Sequence, residues 1–467
     1  MKRRNRATTS RTLPALAGAV GCMMAAFACG AVAADGDVDI DFGTGGIATT
    51  GLSAQNFQLP PKPVVLADGR ILVCSSVTTG GPSGSDFFIA RFNADGTRDT
   101  SFSFDGKATI DFGSRDDGCN ALAVQADGKI LAVGSSSSSM APNSDFAVAR
   151  LNADGSPDPT FGGGSGQVLI PFDVGGNDND VGAAVAVQPD GKILAAGWAV
   201  TDAGFDFAAV RLLADGSRDT TFNATGRVTV AFDFPGTGGI DQADAVAIDD
   251  QGRILLGGVA ETAPSSFDFA LVRLLPNGQL DHGFDADGRA TLGFDLGGSN
   301  SDLAYQTILQ KDGRIVMAGT ADTGVGGLQN NDVAVARLLP DGSPDDSFGI
   351  GGKVVVPFDL VTNAYDVATG VAQDSAGRLV AVGGAIYDAS SHSRPFALRL
   401  LADGTLDGGF GSFGKKTYDF GGTAGIFLGV ALQGTQIVAG GQLMHDPDKD
   451  NFVTRLEVDL LFADGFD

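Results

Sequence analysis

The 467-residue chain holds 69 Gly and 31 Phe but only 31 Lys plus Arg, and its 56 Asp plus Glu give a formal net charge of −25. That balance excludes nucleic acid as a partner, because phosphate contacts need clustered Lys and Arg. A hydrophobic fraction of 43% excludes a disordered chain, and short Val, Ile, Leu and Ala runs between Asp-Gly turns read as all-β.

Residues 1–33 have the form of a signal peptide. Lys2, Arg3, Arg4, Arg6 and Arg11 make a basic start, residues 13–29 are apolar, and Ala31-Val32-Ala33 is an A-x-A cleavage site. The apolar run is short and diluted by Gly and Ala, so no transmembrane anchor is expected in the mature chain. A lipid-modified Cys22 or Cys29 is disfavoured because Ala19 and Ala26 stand where Leu is expected. Cleavage near Ala33 predicts a secreted, periplasmic or cell-envelope protein with 26 basic and 56 acidic residues, a net of about −30. High negative charge favours a soluble monomer and attracts cations. Cys74 and Cys119 then remain, either as a disulfide or as two buried thiols.

After the leader, Asp35-Gly36, Asp39 and Phe42-Gly43 match Asp95-Gly96, Asp99 and Phe102 further along. The mature chain therefore starts inside a repeat, followed by a strand candidate at residues 47–50. The first turn of the full repeat is Asp68-Gly69-Arg70-Ile71-Leu72. It returns from Asp127, Asp190, Gln251, Asp312 and Ala376, and in degraded form from Gly434, at spacings of about 58 to 64 residues. A second block, Asp145-Phe146-Ala147-Val148-Ala149-Arg150-Leu151 in the second repeat, leads through Asp154-Gly155 and Asp158 to Phe161. Its arginine recurs as Arg91, Arg150, Arg211, Arg273, Arg337, Arg399 and Arg455, and its closing aromatic as Phe102, Phe161, Phe222, Phe284, Phe348 and Phe410. A Gly four or five residues later opens a third block, such as Gly352-Lys353-Val354-Val355-Val356.

Each repeat thus holds four strand candidates, here called a to d. In the second repeat they fall at residues 121–125, 129–133, 146–151 and 167–172, with an Asp-Gly hairpin between a and b. Four antiparallel strands per repeat make one propeller blade. A parallel β-helix is the alternative, but its coils are shorter and lack tight hairpins. The DGKIL turn, the DFAVARL strand and the DGSxDxxFG turn resemble the delta-60 repeat family across nearly the whole mature chain. That resemblance implies a β-propeller of unknown function and no catalytic residue. Repeats six and seven depart from it, since Phe396 to Arg399 and Phe452 to Arg455 are each one residue shorter than Phe146 to Arg150.

The last repeat runs out after its strand c, so residues 47–50 are predicted to supply the missing strand d. The expected architecture is a signal peptide at 1–33, a seven-bladed β-propeller at 34–459 with its N-terminal strand closing the last blade, and a tail at 460–467. Closure of this kind removes sheet edges that template aggregation.

Catalytic chemistry finds little support. His282, His392 and His445 lie in different repeats, and neither a G-x-S-x-G elbow nor an H-E-x-x-H helix is present. The single Trp198 argues against propellers that stack a Trp in every blade. The D-G-x-x-D-x-x-F turn superficially resembles the Asp-boxes of sialidases, but with different spacing and without a recognisable arginine cluster or nucleophilic Tyr. The recurring arginines suggest a ligand ring at first sight. A repeated buried ion pair explains them better, with Asp145, Asp154 or Asp158 as partners of Arg150. Asp35-x-Asp37-x-Asp39-x-Asp41 resembles a calcium loop, yet counting from Asp37 the sixth and twelfth positions are Phe42 and Ala48 rather than Gly and Glu.

Strand order puts the near-invariant a–b and c–d turns on one face and the variable b–c and d–a loops on the other. Variable loops on a rigid frame are where binding residues concentrate. That face gathers Trp198, Tyr387, His392 and His445 as binding candidates. Its acids include Asp178, Asp180 and Asp241, with Asp446, Asp448 and Asp450 as the candidate calcium ligands. The expected function is a binding or scaffold module for a protein or glycan. A purely structural envelope or matrix protein is the alternative, and an unrecognised hydrolase or lyase a third reading. An acidic cluster with His or Tyr at the channel mouth would favour the third, an aromatic patch there the first.

Overall fold

The computed structural model describes residues 34–51, 62–78, 84–113, 115–138, 143–176, 179–324, 330–362, 364–445 and 448–458. Residues 1–33, expected from sequence to be a signal peptide, the tail at 460–467, Asp178 and Asp446 lie outside these residues, as do the side chains of His445 and Asp448. The strands form seven four-stranded antiparallel sheets, the blades of one propeller. In each, strand a lies innermost and strand d outermost. Blade 2 runs through Arg115–Val124, Ile130–Ser138, Ser144–Leu151 and Gln167–Ile170. Among the described residues no helix is long and apolar enough to cross a membrane.

Strands b and c are buried on both faces because each blade is packed between two others. Strand Asn331–Leu338 is buried at every position. Such strands read as continuous apolar runs rather than alternating ones.

Between blades, the recurring arginine makes an equivalent contact seven times, six to a backbone carbonyl and one to a carboxylate. Arg150 Nε donates to Asp158 Oδ2 at 2.7 Å within its own blade. Its Nη2 donates to Thr160 Oγ1 at 3.0 Å, and its guanidinium lies 4.6 Å from the centroid of Phe161. The remaining Nη1 crosses to the Ala214 carbonyl of blade 3 at 2.5 Å. Arg91, Arg211, Arg273 and Arg337 repeat this with Asp99, Asp219, Asp281 and Asp345, and reach the carbonyls of Ala153, Pro276, Pro340 and Ala402 in the next blade. Arg399 of blade 6 pairs with Asp407 and reaches the Asp35 carboxylate. Arg455 of blade 7 pairs with Asp39 and reaches Ala94 of blade 1 at 2.8 Å, completing the circle. The arginines are therefore consumed by the frame and form no ligand ring. Gly155, at φ +89°, shows why the Asp-Gly turn is so regular. A Cβ there would lie 2.8 Å from the Phe102 ring of the preceding blade, so the turn must be both left-handed and bare.

Strand a differs from the sequence expectation. It begins at Arg115 rather than at 121, and a register shift between Cys119 and Ala121 leaves Asn120 as an extra residue. The same β-bulge recurs in blades 3 to 7. Opposite it stands the Gly of the Ile-Leu-Ala-Val-Gly strand. A Cβ on Gly134 would lie 1.8 Å from the Gly118 carbonyl, and one on Gly197 1.9 Å from that of Val181. Blade 1 carries Ser75 at this position, and its described strand a is only Val64–Val65. Cys74 and Cys119 form a disulfide across the blade 1–blade 2 junction.

The ring closes through the N-terminal strand Ile47–Thr49, which pairs with Phe452 to Thr454 as strand d of blade 7. Asp37 and Asp39 face Lys416 and Arg455, and Tyr418 Oη donates to the Gly36 carbonyl at 2.8 Å. The alternating Asp35, Asp37 and Asp39 are thus met by cationic side chains. Deletion of residues 34–51 removes these ion pairs and several backbone hydrogen bonds, each contributing about 0.5–1.5 kcal/mol net. We expect a markedly lower urea midpoint and concentration-dependent association in analytical ultracentrifugation. A truncated protein that stays monomeric and melts like the full chain would contradict velcro closure by the ends.

Candidate functional site

The bulges aim one residue per blade into the central channel. Asn120, Ala183, Asp244, Tyr305, Thr369 and Leu428 are the six extra residues. Together with Lys62, which precedes strand a of blade 1, all of them line one cavity of about 510 Å³. On its blade 2–blade 3 side the cavity rises to the variable face between Ser135, Ser144, Asn179 and Trp198.

Part of this lining is engaged in joining blades. Asn120 Nδ2 donates to the Gly182 carbonyl at 2.9 Å, and Thr369 Oγ1 to that of Phe427 at 2.6 Å. Tyr305 Oη lies 3.4 Å from Tyr365 Oη. Lys62 and Asp244 are different. They come from blades 1 and 4, and among the described residues neither makes a hydrogen bond or an ion pair within 4.0 Å. Both touch the lumen and are half-buried, yet protein encircles them and weakens solvation of their charged forms. Burial pulls Lys62 down to about 8 against the attraction of Asp244, and pushes Asp244 up to about 7 against the attraction of Lys62. Burial, reinforced by Tyr365 and Asp244, also raises the Tyr305 phenol well above its ordinary range.

The residues singled out from sequence are distributed differently. Trp198 lines the cavity. Tyr387 and His392 do not. They stack on each other in the b–c loop of blade 6 with ring centroids 6.2 Å apart. The Arg394 guanidinium lies 4.4 Å over Tyr387, and His392 Nδ1 meets Asp388 Oδ2 at 2.7 Å. Asp450 lies on the last strand, where it is half-buried opposite Leu443. Asp180 and Asp241 are not surface acids, being 1% exposed each. With Asp117, Asp302 and Asp366 they form a second repeated contact. Each accepts the backbone N–H of the Phe two residues past strand d of the previous blade, at 2.5 to 3.0 Å. A larger depression of about 850 Å³ lies on the invariant face between blades 2 and 3. It is lined by repeat residues such as Lys129 and Arg150, both already paired with Asp158.

Lys62, Asp244 and Tyr305 escaped the sequence reading because nothing there marked the bulge. The available signal was the Gly four residues after the Ile of strand b, together with one unmatched position in otherwise similar strands a: Asn120, Ala183, Asp244, Tyr305, Thr369, Leu428.

Fold and cavity together define a seven-bladed β-propeller with a lumen-facing pocket. Residues 66–102, 125–161, 188–222, 252–284, 310–348 and 377–410 match the domain of unknown function (DUF5122) beta-propeller, and these six repeats belong to that family. All six bulge residues and Lys62 fall outside the matched segments. No curated protein sequence matches the chain significantly. Solved structures of similar shape include a polysaccharide lyase at 9% identity and TM-score 0.43, covering 90% of this chain and 92% of that one. A PL25 ulvan lyase at 11% identity and TM-score 0.43 covers 86% and 95%. Trypanosoma rangeli sialidase at 11% identity and TM-score 0.38 covers 72% and 53%. Likeness at this level concerns the propeller fold alone.

The buried aspartates set a pH dependence. Burial, reinforced by neighbouring carboxylates, pushes Asp117, Asp180, Asp241, Asp302 and Asp366 up to about 6. The folded state therefore holds more protons than the unfolded one between about pH 4 and 6, and stability falls as pH rises through that window. For Asp99 and Asp345 burial is outweighed by hydrogen bonds from Ser101 and Ser347 and by Arg91 and Arg337, which hold both at about 2. Their contribution is lost only on acidification below about pH 4. Urea midpoints at constant ionic strength should peak near about pH 4, and Asp241→Asn should flatten the decline towards pH 6. A midpoint that rises steadily from pH 4 to 7 would contradict the assignment.

Proposed function

We propose that the chain is a secreted binding module that takes a small ligand, or the end of a protein or glycan, into the channel mouth of its variable face. The observation that carries this reading is the cavity itself. Its volume lies in the range of small-molecule sites, and it combines an aromatic face, Trp198, with a few convergent polar groups on a rigid frame. The Cys74–Cys119 disulfide supports an oxidising destination, as does the signal-peptide form of residues 1–33. We place the mature protein outside the cytoplasm as a monomer. Binding of calcium at Asp446, Asp448 and Asp450 remains part of the proposal as a separate, loop-borne feature of the same face.

A second reading, a hydrolase or lyase, is favoured by one observation, the meeting of Asp244, Lys62 and Tyr305 in one cavity with shifted proton affinities. Binding is supported better because no hydrogen bond joins Lys62, Asp244 and Tyr305. General acid–base or nucleophilic catalysis instead relies on partners within hydrogen-bond reach.

Trp198 is the single Trp of the chain, so its emission reports on the cavity alone. Titration with size-fractionated oligosaccharide and peptide pools should shift that emission saturably, without turnover. Thr369→Phe, which fills the lumen without adding a second Trp, should abolish the response, while Tyr387→Ala should leave it intact. Pools that bind by calorimetry with no change at Trp198 would remove the channel from the account, and chemical conversion of a bound pool would favour the enzyme reading.

A further inference from the structure

Among the described residues, Lys62 and Asp244 are the two charged groups that line the lumen cavity, one from blade 1 and the other from blade 4. An ammonium and a carboxylate so enclosed each incur desolvation, and a direct ion pair would normally offset part of that cost. Here no such pair forms within 4.0 Å. The frame keeps the two apart. Lys62 sits on the only blade whose described strand a lacks the bulge, and Asp244 is the bulge residue of its own strand. Both line the same cavity of about 510 Å³, which Trp198, Tyr305 and Asn120 also line.

Resting on the channel-site reading, we propose that the cavity selects a small zwitterion of amino-acid or dipeptide size. Its carboxylate meets Lys62, its ammonium meets Asp244, and its apolar part lies against Trp198. Such a ligand supplies each half-buried charge with a partner that it lacks among the described residues, and brings no net charge into the channel. A purely anionic ligand would satisfy Lys62 but face Asp244, and a purely cationic one the reverse, which is the arrangement that specificity by repulsion requires. Burial draws both groups towards neutrality in the free protein, Lys62 to about 8 and Asp244 to about 7, so an arriving opposite charge restores each to its ionised form.

The test uses the mature protein and Trp198 emission, with phenylalanine and glycyl-phenylalanine as probes. Their N-acetylated and C-amidated forms, together with a neutral oligosaccharide pool, are the controls. We expect saturable binding of one or both zwitterions, and weakening by about tenfold or more on blocking either terminus. In Asp244→Asn the penalty for N-acetylation should vanish while that for amidation persists, and in Lys62→Met the reverse. Equal binding of blocked and free forms by the wild type would overturn the proposal without any variant. So would silence towards both zwitterions at millimolar concentration while the oligosaccharide pool still shifts Trp198, a result that leaves the channel site standing. Silence towards every probe counts against both readings.

Discussion

The contact on which the whole ring depends is the guanidinium of strand c. One arginine per blade is held by an aspartate of its own c–d turn, laid on the closing Phe, and extended to an oxygen of the next blade. Seven such contacts run from blade 1 to blade 7 and back to blade 1. A buried arginine with a well-formed carboxylate partner and further acceptors is tolerated where an isolated charge would not be. The bare Asp-Gly turn follows from it, because the next blade's Gly must receive the Phe that the guanidinium covers.

With the blades fixed on the invariant face by arginine, the innermost strands are free to carry a bulge without loss of alignment. The buried aspartates hold the five junctions from blade 1–2 to blade 5–6 from the other side, through a backbone N–H of the preceding blade. Between these two sets of contacts, one position in each of blades 2 to 7 faces the lumen, where only Asn120 and Thr369 donate a side-chain hydrogen bond to a backbone carbonyl of the next blade among the described residues. Ala, Leu, Asn, Thr, Asp and Tyr all occupy it. Frame and pocket are therefore written in different residues, which is why the segments matching the family stop short of every lumen position.

This division also decides what could be read from sequence. Blade number, strand order, hairpin positions and closure by residues 47–50 were all legible, because each rests on a turn that recurs at fixed offset. The bulge was not. Residues 115–120 were left outside strand a, since a strand with an extra residue breaks the period of two on which the reading depended. The lumen charges went with it. Cys74 and Cys119 could not be paired from spacing, because their proximity depends on blade 1 packing against blade 2. Of the aromatic candidates, Trp198 lies on strand Ile193–Val200, whose register fixes it beside the channel. Tyr387 and His392 sit in a loop whose course no repeat position sets, and they meet each other away from the cavity.

The central claim is that each strand-c arginine ties two blades together. Urea denaturation of Arg150→Ala tests it most directly. The substitution removes the nearer of the two cations that hold the buried Asp158, leaving Lys129 at 3.2 Å, and frees the Ala214 carbonyl, so the account predicts a loss of roughly 3–5 kcal/mol, with Asp158→Ala costing a similar amount and the double variant much less than their sum. A loss within about 0.5 kcal/mol, the scale of an ordinary surface substitution, would contradict it.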